Sequence, residues 1–271
     1  MGGKTAYIEG LADAGQRLYD AYSTVMTEAN LSGVLDAILG ANRFDYPQTT
    51  ARDLINSIVL GSYPNETTIK ANFINGILLP QSPKTVSVFE LPIGKSRVDM
   101  CKINGHSAAY EIKTDLDTFY RLEGQLKDYF DVFETVYVVT SEARWRELPD
   151  YVPEACGIYS YRQCEDGPYK FCTRRRAIKS SKLDSEKQLS VMPKQFLYSL
   201  FGKEGRRVSK ASLIRSCLEE HDGREINHLF KRYLQQRYGC YWNRFRELQP
   251  EIYEIDYQWF YRYGLSPQAI Y

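Results

Sequence analysis

Ser96-Arg97-Val98-Asp99-Met100-Cys101-Lys102-Ile103-Asn104-Gly105-His106-Ser107-Ala108-Ala109-Tyr110-Glu111-Ile112-Lys113 is the stretch on which the fold turns. Residues 97–103 and 107–114 are β-prone runs joined at Asn104-Gly105, and an Asn-Gly step between such runs is a strong hairpin signal. Glu111 and Lys113 stand two apart on the second run, so both face the same side. Their neighbours Ala108, Ala109, Tyr110 and Ile112 are those of a central strand. An acid and a base there are costly to bury unless something compensates them. A divalent metal would do so. Asp99, on the first run, is the natural second carboxylate.

The loop length decides whether the two acids meet. A two-residue loop of Asn104 and Gly105 pairs Ile103 with His106 and sends Asp99 and Glu111 to opposite faces. A three-residue loop of Asn104, Gly105 and His106 pairs Ile103 with Ser107. Asp99 then falls opposite Glu111, with Lys113 one diagonal step away. A shared metal site requires the second register, by a three-residue loop or a bulge. Such a set suits phosphodiester hydrolysis. Hard carboxylate oxygens bind Mg²⁺, the metal polarises the phosphoryl oxygen and acidifies a bound water, and a lysine stabilises the growing negative charge.

Outward from the hairpin, Thr85–Phe89 reads as a preceding strand and 117–130 as a following helix. Residues 134–140 read as a buried strand, with further strands near 157–161 and 169–172. Upstream, Pro64-Asn65-Glu66 looks like a helix start, with Asn65 as N-cap and Glu66 at the positive end. That helix should run to about Leu79, before Pro80 and Pro83 break the chain. Residues 6–60 are helical by periodicity. A polar, basic stretch over 174–190 reads as a linker, and the pattern from Lys194 onward is helical.

Composition narrows the class. With 43% apolar and 25% charged residues, the chain is that of an ordinary globular protein. No apolar run is long enough for a membrane span, and the N-terminus lacks the apolar stretch of a signal peptide. The six cysteines form no CxxC pair, which argues against zinc ribbons and fits reduced thiols in a cytoplasm. No P-loop occurs. Net charge is +1, yet residues 1–169 hold 15 Lys+Arg against 23 Asp+Glu, while residues 170–249 hold 19 against 8. That basic block suggests a polyanionic partner, with Arg174, Arg175, Arg176, Lys179, Lys182, Arg206 and Arg207 as candidate phosphate contacts.

The string Ser96-Arg97-Val98-Asp99 followed by Tyr110-Glu111-Ile112-Lys113 resembles the D…ExK pattern of the PD-(D/E)XK nuclease superfamily. In the downstream helix, the Gln125…Tyr129 spacing looks like the QxxxY motif of its RecB-like branch. The run Glu111–Thr118, with Arg121-Leu122 and Gln125, also resembles a small bacterial and prophage family of unknown function, the sce-named family. The resemblance covers roughly residues 60–165. The superfamily's Pro-Asp dipeptide is absent, since Val98 precedes Asp99.

The resemblance implies an α/β, restriction-endonuclease-like αβββαβ core, Mg²⁺ or Mn²⁺, and DNA as partner and substrate. The core would span 61–173, between a helical N-terminal extension (1–60) and a basic helical C-terminal region (174–271). Asp99, Glu111, Lys113, Gln125 and Tyr129 would form the catalytic set. Asp99 and Glu111 would hold the metal with Glu66 from the first core helix, a slot for which Glu90 competes. No organic cofactor is expected. A role in phage defence or prophage DNA metabolism is the family-level expectation.

Blander readings stay open: an ion-pair ladder for Asp99, Glu111 and Lys113, an ordinary helix face for Gln125 and Tyr129, and a dipole-compensating acid for Glu66. So do two other functions, a catalytically silent nuclease-fold protein that binds nucleic acid and a phage-encoded inhibitor that binds a protein partner.

Overall fold

In a computed structural model, which describes residues 2–40, 49–164, 167–201 and 208–271, six strands form one mixed sheet in chain order. The strands are β1 (Val86–Ile93), β2 (Ser96–Ile103), β3 (Ser107–Lys113), β4 (Thr135–Ser141), β5 (Gly157–Cys164) and β6 (Gly167–Arg175). β1, β2 and β3 are antiparallel neighbours, β3 to β5 run parallel, and β6 returns antiparallel on β5.

The hairpin adopts the three-residue loop. Ile103 faces Ser107 and Met100 faces Tyr110, so the register carries Asp99 opposite Glu111. The Asn104 amide donates to the His106 carbonyl at 2.9 Å, and Gly105 takes the left-handed conformation (φ +66°) that closes such loops. β3 is buried throughout except at Lys113, because β2 and β4 flank it.

Ahead of the sheet, Asn65 caps α4 (Glu66–Phe73), its side chain accepting from the Thr68 amide. Residues Ile74–Leu78 continue as a π-helix, so the expected helix is present but changes period halfway. α5 (Leu122–Phe130) starts later than expected. The Thr114 amide and hydroxyl both donate to Asp117, and Arg144 holds the Thr114 and Asp117 carbonyls, so this segment closes as a turn instead of opening a helix.

α1 (Gly2–Ala21), α2 (Glu28–Leu39) and α3 (Ala51–Ser62) bear out the helical reading of the N-terminal region and have their own apolar cluster around Leu18, Leu31, Leu35, Ile55 and Val59. Arg52 is buried there, 3.7 Å from Asp256, which also accepts from Tyr22, Thr24 and Tyr271. The two ends of the chain are thereby tied together.

The C-terminal region comprises α6 (Ser185–Val191), α7 (Lys194–Phe201), α8 (Lys210–Glu220), α9 (Gly223–Leu248) and α10 (Tyr257–Tyr263). α6 occupies part of the stretch that reads as linker, capped by Asp184 and tied through Gln188 to the Val132 carbonyl. Polar composition masks it because only Gln188 and Leu189 face inward. The C-terminal helices share one apolar core with the sheet: Phe89 of β1 packs edge-on against Trp242 and Phe245 of α9.

One residue of the sheet is strained. Glu90 has φ +55°, a left-handed backbone in a non-glycine residue within a strand. Glycine there removes a penalty of about 1–2 kcal/mol that alanine keeps, and both lose the carboxylate. Glu90→Gly is therefore expected to outlast Glu90→Ala in urea by about 1 kcal/mol. Identical unfolding midpoints and slopes would contradict the strain.

Candidate active site

One rung of the sheet carries three acids. Phe89 opposite Met100 and Leu91 opposite Val98 set Glu90 against Asp99, and the hairpin register sets Asp99 against Glu111. From α4, Glu66 and Lys70 reach the same place one helical turn apart. Carboxylate oxygens of Glu66, Glu90 and Asp99 lie within 4.8 Å of one another. The Lys70 ammonium sits among them, paired to Glu66 and Glu90 and 3.0 Å from Asp99 Oδ1. The other Asp99 oxygen, Oδ2, takes the Ile112 amide of β3 at 2.7 Å. Both acids weighed for the first-helix slot, Glu66 and Glu90, are thus in the cluster.

Glu111 anchors the second half of the site. It is 1% exposed. Its Oε1 accepts from Lys113 Nζ and Gln125 Nε2, each at 2.6 Å, and its Oε2 accepts from the Tyr129 hydroxyl at 2.9 Å. The Tyr129 hydroxyl also lies 2.7 Å from the Arg97 carbonyl, fixing α5 on β2. Gln125 and Tyr129, one turn apart on α5, therefore meet the strand acid that the spacing assigned to them. A solvent-facing ion-pair ladder does not describe a carboxylate so enclosed.

The charges are strongly coupled. Burial, then the Glu111 charge, pushes Asp99 well above the usual carboxylate range, with Lys70 opposing. Burial likewise raises Glu111, against the pull of Lys113 and its hydrogen bonds. Burial alone would discharge Lys70, but Asp99, Glu66 and Glu90 outweigh it and hold the ammonium charged. Burial and the Glu111 charge keep the Tyr129 phenol protonated, so it is a donor.

The donor set fits a hard divalent cation: all the clustered ligand atoms are carboxylate oxygens, and they already surround a positive charge. One more acceptor points the same way. Gln125 Oε1 is buried and, among the described residues, has no hydrogen-bond partner. Glu66, Glu90 and Asp99 would hold the ion. Glu111, grouped with the ligands by sequence, has its oxygens engaged by Lys113, Gln125 and Tyr129 and stands beside that cluster.

Lys70 is the residue that sequence reading missed. Its signal was the i, i+4 spacing from Glu66, which every surface helix pair shares.

The candidate phosphate contacts do not gather at the carboxylates. Arg174 and Arg175 lie on β6, at the far edge of the sheet. Arg174 pairs with Glu142 and bonds Ser160, and Arg175 binds the Cys156 and Pro153 carbonyls. Arg176 is exposed just beyond β6. Lys179 pairs with Glu134 at 2.9 Å, and Lys182 lines a separate cavity with Lys179 and Arg224. Arg206 and Arg207 lie outside the described residues.

Fold and site together define a mixed α/β protein with a partly buried carboxylate–lysine cluster built on a central hairpin, the strand beside it and two helices. The chain belongs to the family of bacteriophage P4 protein cII, which matches residues 61–256. Protein cII of Enterobacteria phage P4 is 31% identical over 123 residues, a stretch covering 45% of this chain and 46% of that protein. A protein of unknown function from Silicibacter pomeroyi overlaps 51% of this chain and 92% of its own, with 16% identity and a TM-score of 0.33, too loose a match to define a common fold. Among the described residues no helix is long and apolar enough to cross a membrane.

Proposed function

We propose that this protein is a metal-dependent nuclease that hydrolyses DNA phosphodiester bonds. The observation that carries the reading is the convergence on Glu111: Lys113 from the same strand and Gln125 and Tyr129 from α5 all bond one buried carboxylate, with Asp99 in the opposing register position. Structural packing alone gives no reason to bury Lys70, Asp99 and Glu111 side by side, since apolar residues of similar volume would serve stability as well or better.

In this reading Glu66, Glu90 and Asp99 hold Mg²⁺ or Mn²⁺, which supplies phosphoryl polarisation and an acidified water. Glu111 fixes the Lys113 ammonium, and Lys113 offers charge to the phosphoryl oxygens. Tyr129 and Gln125 hold Glu111 in place, and the Gln125 side-chain carbonyl stays buried without a partner among the described residues. Membership of a phage protein family fits a prophage setting for this activity.

Lys70 favours a second reading. A buried ammonium already neutralises the acids, as it would in a nuclease-fold protein that binds nucleic acid without cutting it. The test is incubation of the full chain with single-stranded and duplex DNA in Mg²⁺, Mn²⁺ or EDTA. Cleavage in either metal, stopped by EDTA, is the expected result. DNA binding without cleavage in any metal selects the second reading.

A further inference from the structure

A cavity of about 590 Å³ opens beside the carboxylate cluster, with Glu90 and Arg97 in its wall. Glu90 belongs to the cluster, and Arg97 Nη1 lies 3.9 Å from Glu90 Oε2. The opposite walls come from α9 and α10. On α10, Trp259 and Tyr263 stand one turn apart with ring centroids 4.7 Å apart, and the Arg262 guanidinium lies 5.5 Å from the Tyr263 centroid. On α9, the Arg237 guanidinium lies 5.8 Å from the Tyr238 ring and 5.6 Å from that of Tyr241.

Three features of this groove are chemically specific. Tyr263 is open to solvent, 53% exposed, and its neighbour Trp259 is only partly buried, although burying aromatic surface is ordinarily favourable. Two of its arginines are loosely held: among the described residues Arg237 makes a 3.5 Å contact to the Tyr241 hydroxyl and pairs with no acid, and Arg97, 66% exposed, meets Glu90 only at 3.9 Å. Its volume falls in the range of about 300–1,000 Å³ typical of small organic ligands. Flat rings alternating with guanidinium groups provide stacking platforms and phosphate contacts, the combination that binds single-stranded nucleic acid. A duplex keeps its base faces stacked inside and offers only edges in its grooves, so it cannot use the rings.

We infer that the groove between α9, α10 and β1 binds single-stranded DNA, stacking bases on Trp259 and Tyr263 and leading the strand past Arg237 and Arg97 to the carboxylates. This names the substrate class of the proposed nuclease and rests on that reading for its catalytic meaning, but the binding itself does not need cleavage.

The test therefore uses the full chain in EDTA, with fluorescent oligo-dT and a duplex of equal length titrated by anisotropy. Oligo-dT is expected to bind more tightly than the duplex and to quench tryptophan fluorescence, with the quenching reduced in Trp259→Phe. Tyr263→Ala, at an exposed position, is expected to weaken oligo-dT binding about tenfold, as for the loss of one stacked base. Arg237→Gln should weaken it and flatten its salt dependence. Circular dichroism of each variant controls for folding. Equal affinity for duplex and oligo-dT, or unchanged oligo-dT binding in Tyr263→Ala and Arg237→Gln, overturns the groove. Metal-dependent cutting of duplex without single-strand preference does so too, while leaving the nuclease reading standing. Oligo-dT binding without cleavage in any metal keeps the groove and removes the nuclease.

Discussion

Lys113→Ala is expected to slow DNA cleavage about 10²–10³-fold, the cost of removing one positioned charge from a developing anion, while divalent metal still binds. The side chain sits 2.6 Å from Glu111 Oε1 and is 12% exposed, so part of it still reaches solvent. Its removal leaves Glu111 bonded to Gln125 and Tyr129, so the fold should survive. Asp99→Ala should behave differently, because Asp99 is one of the three clustered carboxylates and also accepts from the Ile112 amide of β3. It should lose metal binding and cleavage together. Glu111→Gln keeps the shape but loses the charge that fixes Lys113, so it should lose cleavage more than metal binding. Rates in Mg²⁺, with isothermal titration of the same proteins, separate these cases. If all three variants cut at the wild-type rate, the catalytic assignment is wrong.

The second large effect concerns Lys70. Lys70→Met is expected to destabilise the protein by about 3–5 kcal/mol at neutral pH, because breaking a buried ion pair leaves its partners uncompensated. Methionine fills much the same space as the lysine stem, so the loss reports charge more than volume. The pH dependence has a definite sign. Asp99 already has a folded-state pKa above its unfolded value. Such an acid binds its proton more tightly in the folded state, so its contribution is full below the unfolded pKa and is lost as pH rises through the folded one. With Lys70 gone the upward shift grows beyond the present value of about 7, so the variant should recover stability as pH falls from above neutrality toward the ordinary carboxylate range. Divalent metal should also restore stability, by mass action on the folded state. Urea unfolding across pH, with and without Mg²⁺, reads both. A variant as stable as the wild type at neutral pH would show that Lys70 does not neutralise the cluster.

A further consequence follows from the packing of the C-terminal helices. Removing residues 174–271 would strip α9 and α10 from β1 and expose Phe89, so that truncation does not isolate a folded core. The +11 net charge of residues 170–249 gave no hint of this, because charge counts the solvated face of a helix and says nothing of the apolar stripe beneath it.

The hairpin and the element order around it were legible in the sequence by itself, and they rest on local physics: an Asn-Gly step and period-two alternation. The sequence leaves the pairing of Asp99 with Glu111 between two registers, because it depends on a loop length that the folded hairpin sets at three residues. The Gln125–Tyr129 pair was legible from local spacing, since four residues on a helix are one turn. Tertiary structure alone decided what the acids face. Lys70 and Glu90 come to Asp99 from a different helix and a neighbouring strand, and no spacing in the chain records that meeting. The strained Glu90 backbone is set by its surroundings and not by its own preference. The aromatic groove likewise joins β1 to helices roughly 150 residues later, because burial of apolar surface is indifferent to sequence distance.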